Sequence, residues 1–205
     1  YHMLKIIIAS RNQGKILEMR SVLSDLNLEL LPAEEVGFFE EVVEDGLTFA
    51  DNALKKARAV SSQLDLPAIA DDSGLCVEAL GGLPGIHSAR WAGKGASGEA
   101  LITKLLSEMT LVSDKKRNAE FVSVVAMAWP DGREVVFEGR VKGDITTEPQ
   151  GEMRPNLPYD VLFKPIGHTK TYAQMTDEEK NLISHRAEAF KKLKKYINTI
   201  VNSVV

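Results

Sequence analysis

Apolar residues recur along this chain with two different periods, and the changes between them mark out the elements. Leu4 to Ser10 is a continuous apolar, β-branched run, as in a buried strand, and Gln13 to Leu26 follows with Ile16, Leu17, Met19, Val22 and Leu23 in helical register. The opening therefore predicts strand, loop, helix. A second helix is predicted from Thr48 to Leu64, where Thr48 and Asp51 have the form of a capping box and Phe49, Ala53, Leu54, Ala57 and Val60 make the apolar stripe. A short buried strand then runs from Leu66 and ends at Asp71. Gly81-Gly82-Leu83-Pro84-Gly85 is a turn cluster, and Gly98 to Met109 is a third helix. Phe121 to Trp129 and Glu134 to Val141 read as antiparallel strands joined through Pro130-Asp131-Gly132.

After Gly143 comes a loop rich in Pro, Gly and charge, reaching Pro158, and then the short apolar run Val161-Leu162-Phe163. Thr176-Asp177-Glu178-Glu179 has the form of another capping box. The final helix carries Phe190, Leu193, Ile197, Ile200, Val201 and Val204 on one stripe, which docks it on a core. Helices interleave with strands early and a hairpin comes later, so the pattern predicts an α/β fold on a mixed sheet.

Composition narrows the function classes. The chain has 205 residues, 44% hydrophobic and 26% charged, as in an ordinary globular protein with one sizeable core or two lobes. No apolar run approaches the about 20 residues of a membrane helix. Tyr1-His2-Met3 reads as an expression remnant ahead of a native start, with 4–205 as a single domain and no signal peptide, so cytoplasm is the expected location. A formal charge of −4 disfavours a long nucleic acid but leaves room for a small phosphorylated ligand held by a few local cations. Lys191, Lys192, Lys194 and Lys195 read as a solvated helix face. Cys76 is the one cysteine, so no intrachain disulfide forms, and its apolar setting suits a buried hydrophobe. His2, His87, His168 and His185 lack the paired spacing of a zinc site.

Candidate chemistry begins at Asp71 and Asp72. Two adjacent ionised carboxylates repel each other, and a cation such as Mg²⁺ relieves that repulsion; the alternative is a strand-end turn in which Asp72 or Ser73 caps the backbone and Gly74 takes an unusual φ. Glu44 and Asp45 precede the second helix, as capping acids or, with Asp71 and Asp72, as part of an oxygen-ligand site. Ser10-Arg11-Asn12-Gln13-Gly14-Lys15 joins the first strand to the first helix, where backbone N–H groups and a lysine favour phosphate; it lacks the first Gly and the Ser/Thr of a P-loop, and Ser10 or Asn12 capping the helix is the competing reading. Lys180, His185 and Arg186 gather cations near the start of the terminal helix, for an anion or for salt bridges to Glu178, Glu179 or Glu188.

Taken in order, Ser10-x-Asn12-x-x-Lys15, Glu44-Asp45-Gly46-Leu47-Thr48-Phe49, Ala70-Asp71-Asp72-Ser73-Gly74-Leu75, Leu80-Gly81-Gly82-Leu83-Pro84-Gly85 with Ser88-Ala89-Arg90, and Glu179 through Arg186 resemble the inosine triphosphate pyrophosphatase family, from Lys5 to about Leu193. The resemblance implies a homodimer with a long mixed sheet flanked by helices and a cleft between two lobes, hydrolysing nucleoside triphosphates of inosine and xanthosine to monophosphate and pyrophosphate. It implies that Ser10, Asn12 and Lys15 hold phosphates, that Glu44 and Asp72 bind Mg²⁺, that Asp72 accepts the proton with Asp71 in support, that Ser73 touches substrate, and that Lys180, His185 and Arg186 face the base. Where the family carries Gly-Phe-Gly-(aromatic)-Asp-Pro this chain reads Asn156-Leu157-Pro158-Tyr159-Asp160-Val161. Tyr159 and Asp160 match and are expected, with Leu157, to bind substrate, but Leu157 stands where the aromatic base platform belongs. Altered base preference, or a nucleotide sensor with little turnover, are the alternatives that this departure raises.

Overall fold

The computed structural model describes residues 3–203, so Tyr1 and His2 of the expected expression remnant and Val204 of the terminal stripe lie outside the described residues. β1 (Leu4–Ile8) is parallel to β2 (Leu28–Pro32), pairing Leu4 with Leu28 through Ile8 with Pro32, and parallel to β3 (Ala68–Val77), pairing Ile7 with Ala68. β4 (Asn118–Ala128), β5 (Glu134–Ile145) and β6 (Phe163–Pro165) complete a six-stranded sheet in the order β2-β1-β3-β4-β5-β6, with β6 antiparallel to β5. The result is the α/β fold on a mixed, helix-flanked sheet that the alternating pattern predicts.

The chain divides into two compact units, residues 1–72, 123–139 and 186–205 in the first and 73–122 and 140–185 in the second. In the first unit, side chains alternate across β1 with the period of two that a strand imposes. Ile6 and Ile8 pack with Ile16, Met19 and Leu23 of α1 (Gln13–Leu23) and with Phe190, Leu193 and Ile197 of α5 (His185–Ser203). Ile7 turns the other way, toward Val60 of α2 (Phe49–Leu64), Ala33 and Phe38. The Thr48–Asp51 capping box at the start of α2 forms in both directions, each bond 3.0 Å. The second unit builds its core from Leu75 and Val77 of β3, Leu101 and Leu105 of α3 (Gly98–Glu108), Phe121, Phe163 and Tyr172. Phe121 meets Phe163 edge-on at 4.7 Å and stacks on Tyr172 at 5.8 Å. α4 (Asp177–Ile183) starts at the second capping box, Thr176 with Glu179.

Among the differences from the sequence pattern, three matter most. β2 was not expected: it is a five-residue strand whose Leu28-Glu29-Leu30-Leu31-Pro32 lacks clean alternation. β5 continues past Val141 to Ile145. β3 does not end at Asp71 but runs ten residues to Val77, so the two aspartates sit inside it; Gly74 is absent from the residues with positive φ, which removes the turn reading. The hairpin signal holds: Gly132 has φ +87°, and Trp129 N–H donates to the Arg133 carbonyl at 3.0 Å.

Candidate active site

The loop leaving β1 is built by the side chains expected to hold phosphate. Asn12 Oδ1 accepts from Lys15 N–H at 3.2 Å and so caps α1, while Ser10 Oγ accepts from Asn12 N–H at 3.2 Å. Capping and anion binding are compatible here, since the cap uses the Asn12 amide oxygen and the positive end of a helix favours an anion.

Strand alternation then sends Asp71 and Asp72 to opposite faces. Asp71 shares the face of Ile69, which packs on α1 and α5, and those two helices supply its partners. Lys15 Nζ of α1 lies 2.8 Å from Asp71 Oδ2, and Arg186 Nε of α5 lies 3.7 Å from the same oxygen. Arg186 is held in turn by Glu18, 2.8 Å away on α1. Asp71 is 1% exposed. Burial pushes its carboxyl up, but Lys15, Arg186 and Lys56 together overcome this and hold it well below the usual carboxylate range. Lys15 is depressed as well, first by burial and then, against the support of Asp71, by the neighbouring Lys56 and Arg186.

Asp72 faces α2. Asn52 Nδ2 donates to Asp72 Oδ2 at 3.1 Å. Four residues along the same helix, Lys56 Nζ donates to the Asp71 carbonyl at 2.6 Å and lies 3.3 Å from Glu44 Oε1. The Asp72 carboxyl is raised above the ordinary value, by burial first; Lys56 and the Asn52 bond oppose the rise and Glu44 adds to it. Glu44 and Asp72 thus repel each other across a lysine, and a divalent cation would relieve that repulsion. Among the described residues no three His, Cys, Asp or Glu converge on a metal position, but Mg²⁺ takes one or two carboxylates and completes its shell with phosphate and water, so this donor pair fits. Asp71, committed to Lys15 and Arg186, does not join it.

The remaining expected residues belong to the second unit. Ser73 is half-buried on β3. Lys180 is 3% exposed, ion-paired with Asp160, and lies 5.2 Å from the Tyr172 ring centre. His185 stacks on Phe121 at 4.7 Å with the planes 10° apart. Lys180 pairs with Asp160, Arg186 with Glu18 and Asp71, and Glu179 with Lys170. Tyr159 is a core side chain whose hydroxyl donates to the Ser88 carbonyl at 2.9 Å, and burial raises its pKa. Arg154-Pro155-Asn156-Leu157 is a turn closed by Leu157 N–H on the Arg154 carbonyl at 3.1 Å, with Asn156 at φ +62°. Proline second and a left-handed residue third is the pattern of a type II turn, a place that favours Gly or Asn. Leu157 is left half-buried beside it.

Sequence reading passed over Asn52, Lys56 and Glu18. Their signal is weak: Asn52 and Lys56 are four apart on a helix and so share a face, but the Asp72 carboxylate and the Asp71 carbonyl that they address are 20 and 15 residues away.

A family model described as the Ham1 family matches residues 6–196. The chain is 46% identical over 193 residues to a dITP/XTP pyrophosphatase of Streptomyces coelicolor, covering 93% of this chain and 96% of that protein. It is 42% identical over 195 residues to a dITP/XTP pyrophosphatase of Bacillus subtilis, covering 95% and 98%. Among solved structures it is similar to a HAM1 protein from Coxiella burnetii, with a TM-score of 0.89 at 37% identity over 96% of this chain and 100% of that one.

Proposed function

The chain belongs to the Ham1 family, and on that premise we propose that it hydrolyses non-standard purine nucleoside triphosphates (dITP, ITP and XTP) to monophosphate and pyrophosphate, clearing them from the nucleotide pool. The observation that carries the reading is the division of labour at the paired aspartates: one is neutralised by Lys15 and Arg186, the other is buried beside Asn52 with its pKa raised.

In this reading Ser10, Asn12, Lys15 and the first turn of α1 bind the phosphates. Asp72 orients the attacking water and takes its proton as the water oxygen bonds to the α-phosphorus and the bond to the bridging α–β oxygen breaks, releasing pyrophosphate. A free aspartate, with a pKa of about 3.9, is a weak base at neutral pH. Burial raises Asp72 and so improves it for the task. Mg²⁺ would be held by Glu44 and Asp72, and when bound it supplies neutralisation of charge on the phosphoryl oxygens. Asp71 keeps Lys15 and Arg186 in place. Ser73, Lys180, His185 and Leu157 touch substrate in this reading, while Tyr159 and Asp160, which the resemblance offers as substrate contacts as well, are buried and would act from behind them.

Leu157 favours a second reading within the same class, in which the base is held less tightly and preference is relaxed, because base–aromatic stacking contributes about 1–3 kcal/mol that a leucine lacks. The test of the main reading is Asp72→Asn, which should lower kcat at least about 100-fold with the fold retained. EDTA should abolish turnover and added Mg²⁺ restore it. Near-normal kcat in the folded variant would discard the assignment.

A further inference from the structure

Asn52 lies wholly inside the protein, on the first turn and a half of α2, and both ends of its amide are used. Gly46 N–H donates to Asn52 Oδ1 at 2.8 Å, and Asn52 Nδ2 donates to Asp72 Oδ2 at 3.1 Å. The orientation is forced. A backbone N–H can only donate, so the amide oxygen must face Gly46, and the NH₂ is then left for a carboxylate that can only accept. The helix start that aims Asn52 is itself fixed by the Thr48–Asp51 capping box, and Asn52 N–H bonds the Thr48 carbonyl at 3.2 Å. Gly46 has no alternative: a Cβ there would fall 2.6 Å from Asp51 Cβ and 2.7 Å from Asn52 Oδ1. The segment carrying Glu44 and the strand carrying Asp72 are therefore tied through one side chain.

We propose that Asn52 is a positioning residue for the reaction, its amide fixing the Asp72 carboxylate in rotation and setting its distance from the Glu44–Gly46 segment. The proposal rests on the reading of Asp72 as the proton acceptor. A base misplaced by a fraction of its contact distance loses rate rather than substrate affinity, because the phosphates are held elsewhere, by the β1–α1 loop.

The experiment measures kcat, KM for ITP and the thermal midpoint of the metal-free protein for Asn52→Leu, Asn52→Asp and Gly46→Ala, alone and combined with Asp72→Asn. Asn52→Leu removes both bonds at similar volume. Asn52→Asp keeps the shape and the acceptor for Gly46 but replaces the donor to Asp72 with a like charge, so it breaks the second bond while sparing the first. Each single variant should lower kcat by about 10- to 100-fold and change KM by less than about 3-fold. In the Asp72→Asn background the same substitutions should cost almost nothing more, since the group they position is gone. A general structural role would instead lower the thermal midpoint and reduce activity by the same factor in both backgrounds, and that result overturns the proposal. So does a folded Asn52→Asp protein with kcat within about twofold of wild type. If Asn52→Leu does not fold, Asn52→Asp and Gly46→Ala decide. Should Asp72→Asn alone leave kcat intact, the reading of the site falls; should it abolish turnover while the Asn52 variants stay active, only the positioning role falls.

Discussion

Asp71 and Asp72 are neighbours in sequence and opposites in environment, and their pH signatures differ in sign. The folded pKa of Asp71 is depressed, so its contribution to stability is present above the unfolded value, about 3.9, and is lost as pH falls below it. Asp71→Asn should therefore flatten the acid limb of a stability profile, and at neutral pH should cost about 3–5 kcal/mol by removing the buried counter-charge of Lys15 and leaving Arg186 with Glu18. Urea melts from about pH 3 to pH 7 read both effects. Asp72 is raised, so what it contributes is present below the unfolded value and lost as pH rises through the folded one. Asp72→Asn, which no longer ionises, should leave the metal-free protein at least as stable as the wild type near neutrality, a common trade at active sites. A clear loss of stability there would speak against burial as the cause of the shift. Lys15→Ala should lower kcat/KM for all triphosphates alike, because phosphate contacts do not read the base; a change confined to stability would leave Lys15 only its pairing with Asp71.

At the scale of elements, local signals were legible and long-range ones were not. The capping boxes at Thr48 and Thr176 and the Pro130–Gly132 turn form as their sequences dictate, since each is complete within four residues. The end of β3 was misplaced because two carboxylates look like a stop until Lys15, Arg186 and Asn52 compensate them, and nothing local announces those partners. The apolar-to-acidic junction is where Lys15, Arg186 and Asn52 converge on the two aspartates. The turn at Arg154–Leu157 has Asn156 at its left-handed position but lacks the family's aromatic. Arg154 is engaged by the Met175 carbonyl and Asp177, and Tyr159 by Ser88, so in the proposed reading Leu157 is the side chain of this stretch that meets the base. Leu157→Phe should lower KM for ITP by about fivefold or more and leave inhibition by inorganic triphosphate unchanged, as stacking would require. An unchanged KM for ITP would remove Leu157 from the base site.

On the scale of the whole molecule, the site is a product of distant sequence. Arg186 meets Glu18 across 168 residues, and Lys15, Asp71 and Arg186 come from α1, β3 and α5. No described helix is long and apolar enough to cross a membrane. The homodimer that the family resemblance implies should give a light-scattering mass of twice the chain mass; a monomer at micromolar concentration would contradict it. Cys76 should stay inert to thiol reagents near neutrality, its pKa pushed up to about 11 by burial and by Glu120. The account stands or falls on catalysis, and the direct measurement is product analysis with ITP, XTP, dITP and the standard nucleoside triphosphates in the presence of Mg²⁺. It predicts monophosphate and pyrophosphate in equal amounts from the three non-standard purines, much faster than from ATP or GTP, with turnover lost in Asp72→Asn. Release of orthophosphate, or no turnover of any triphosphate by the folded protein, would contradict it.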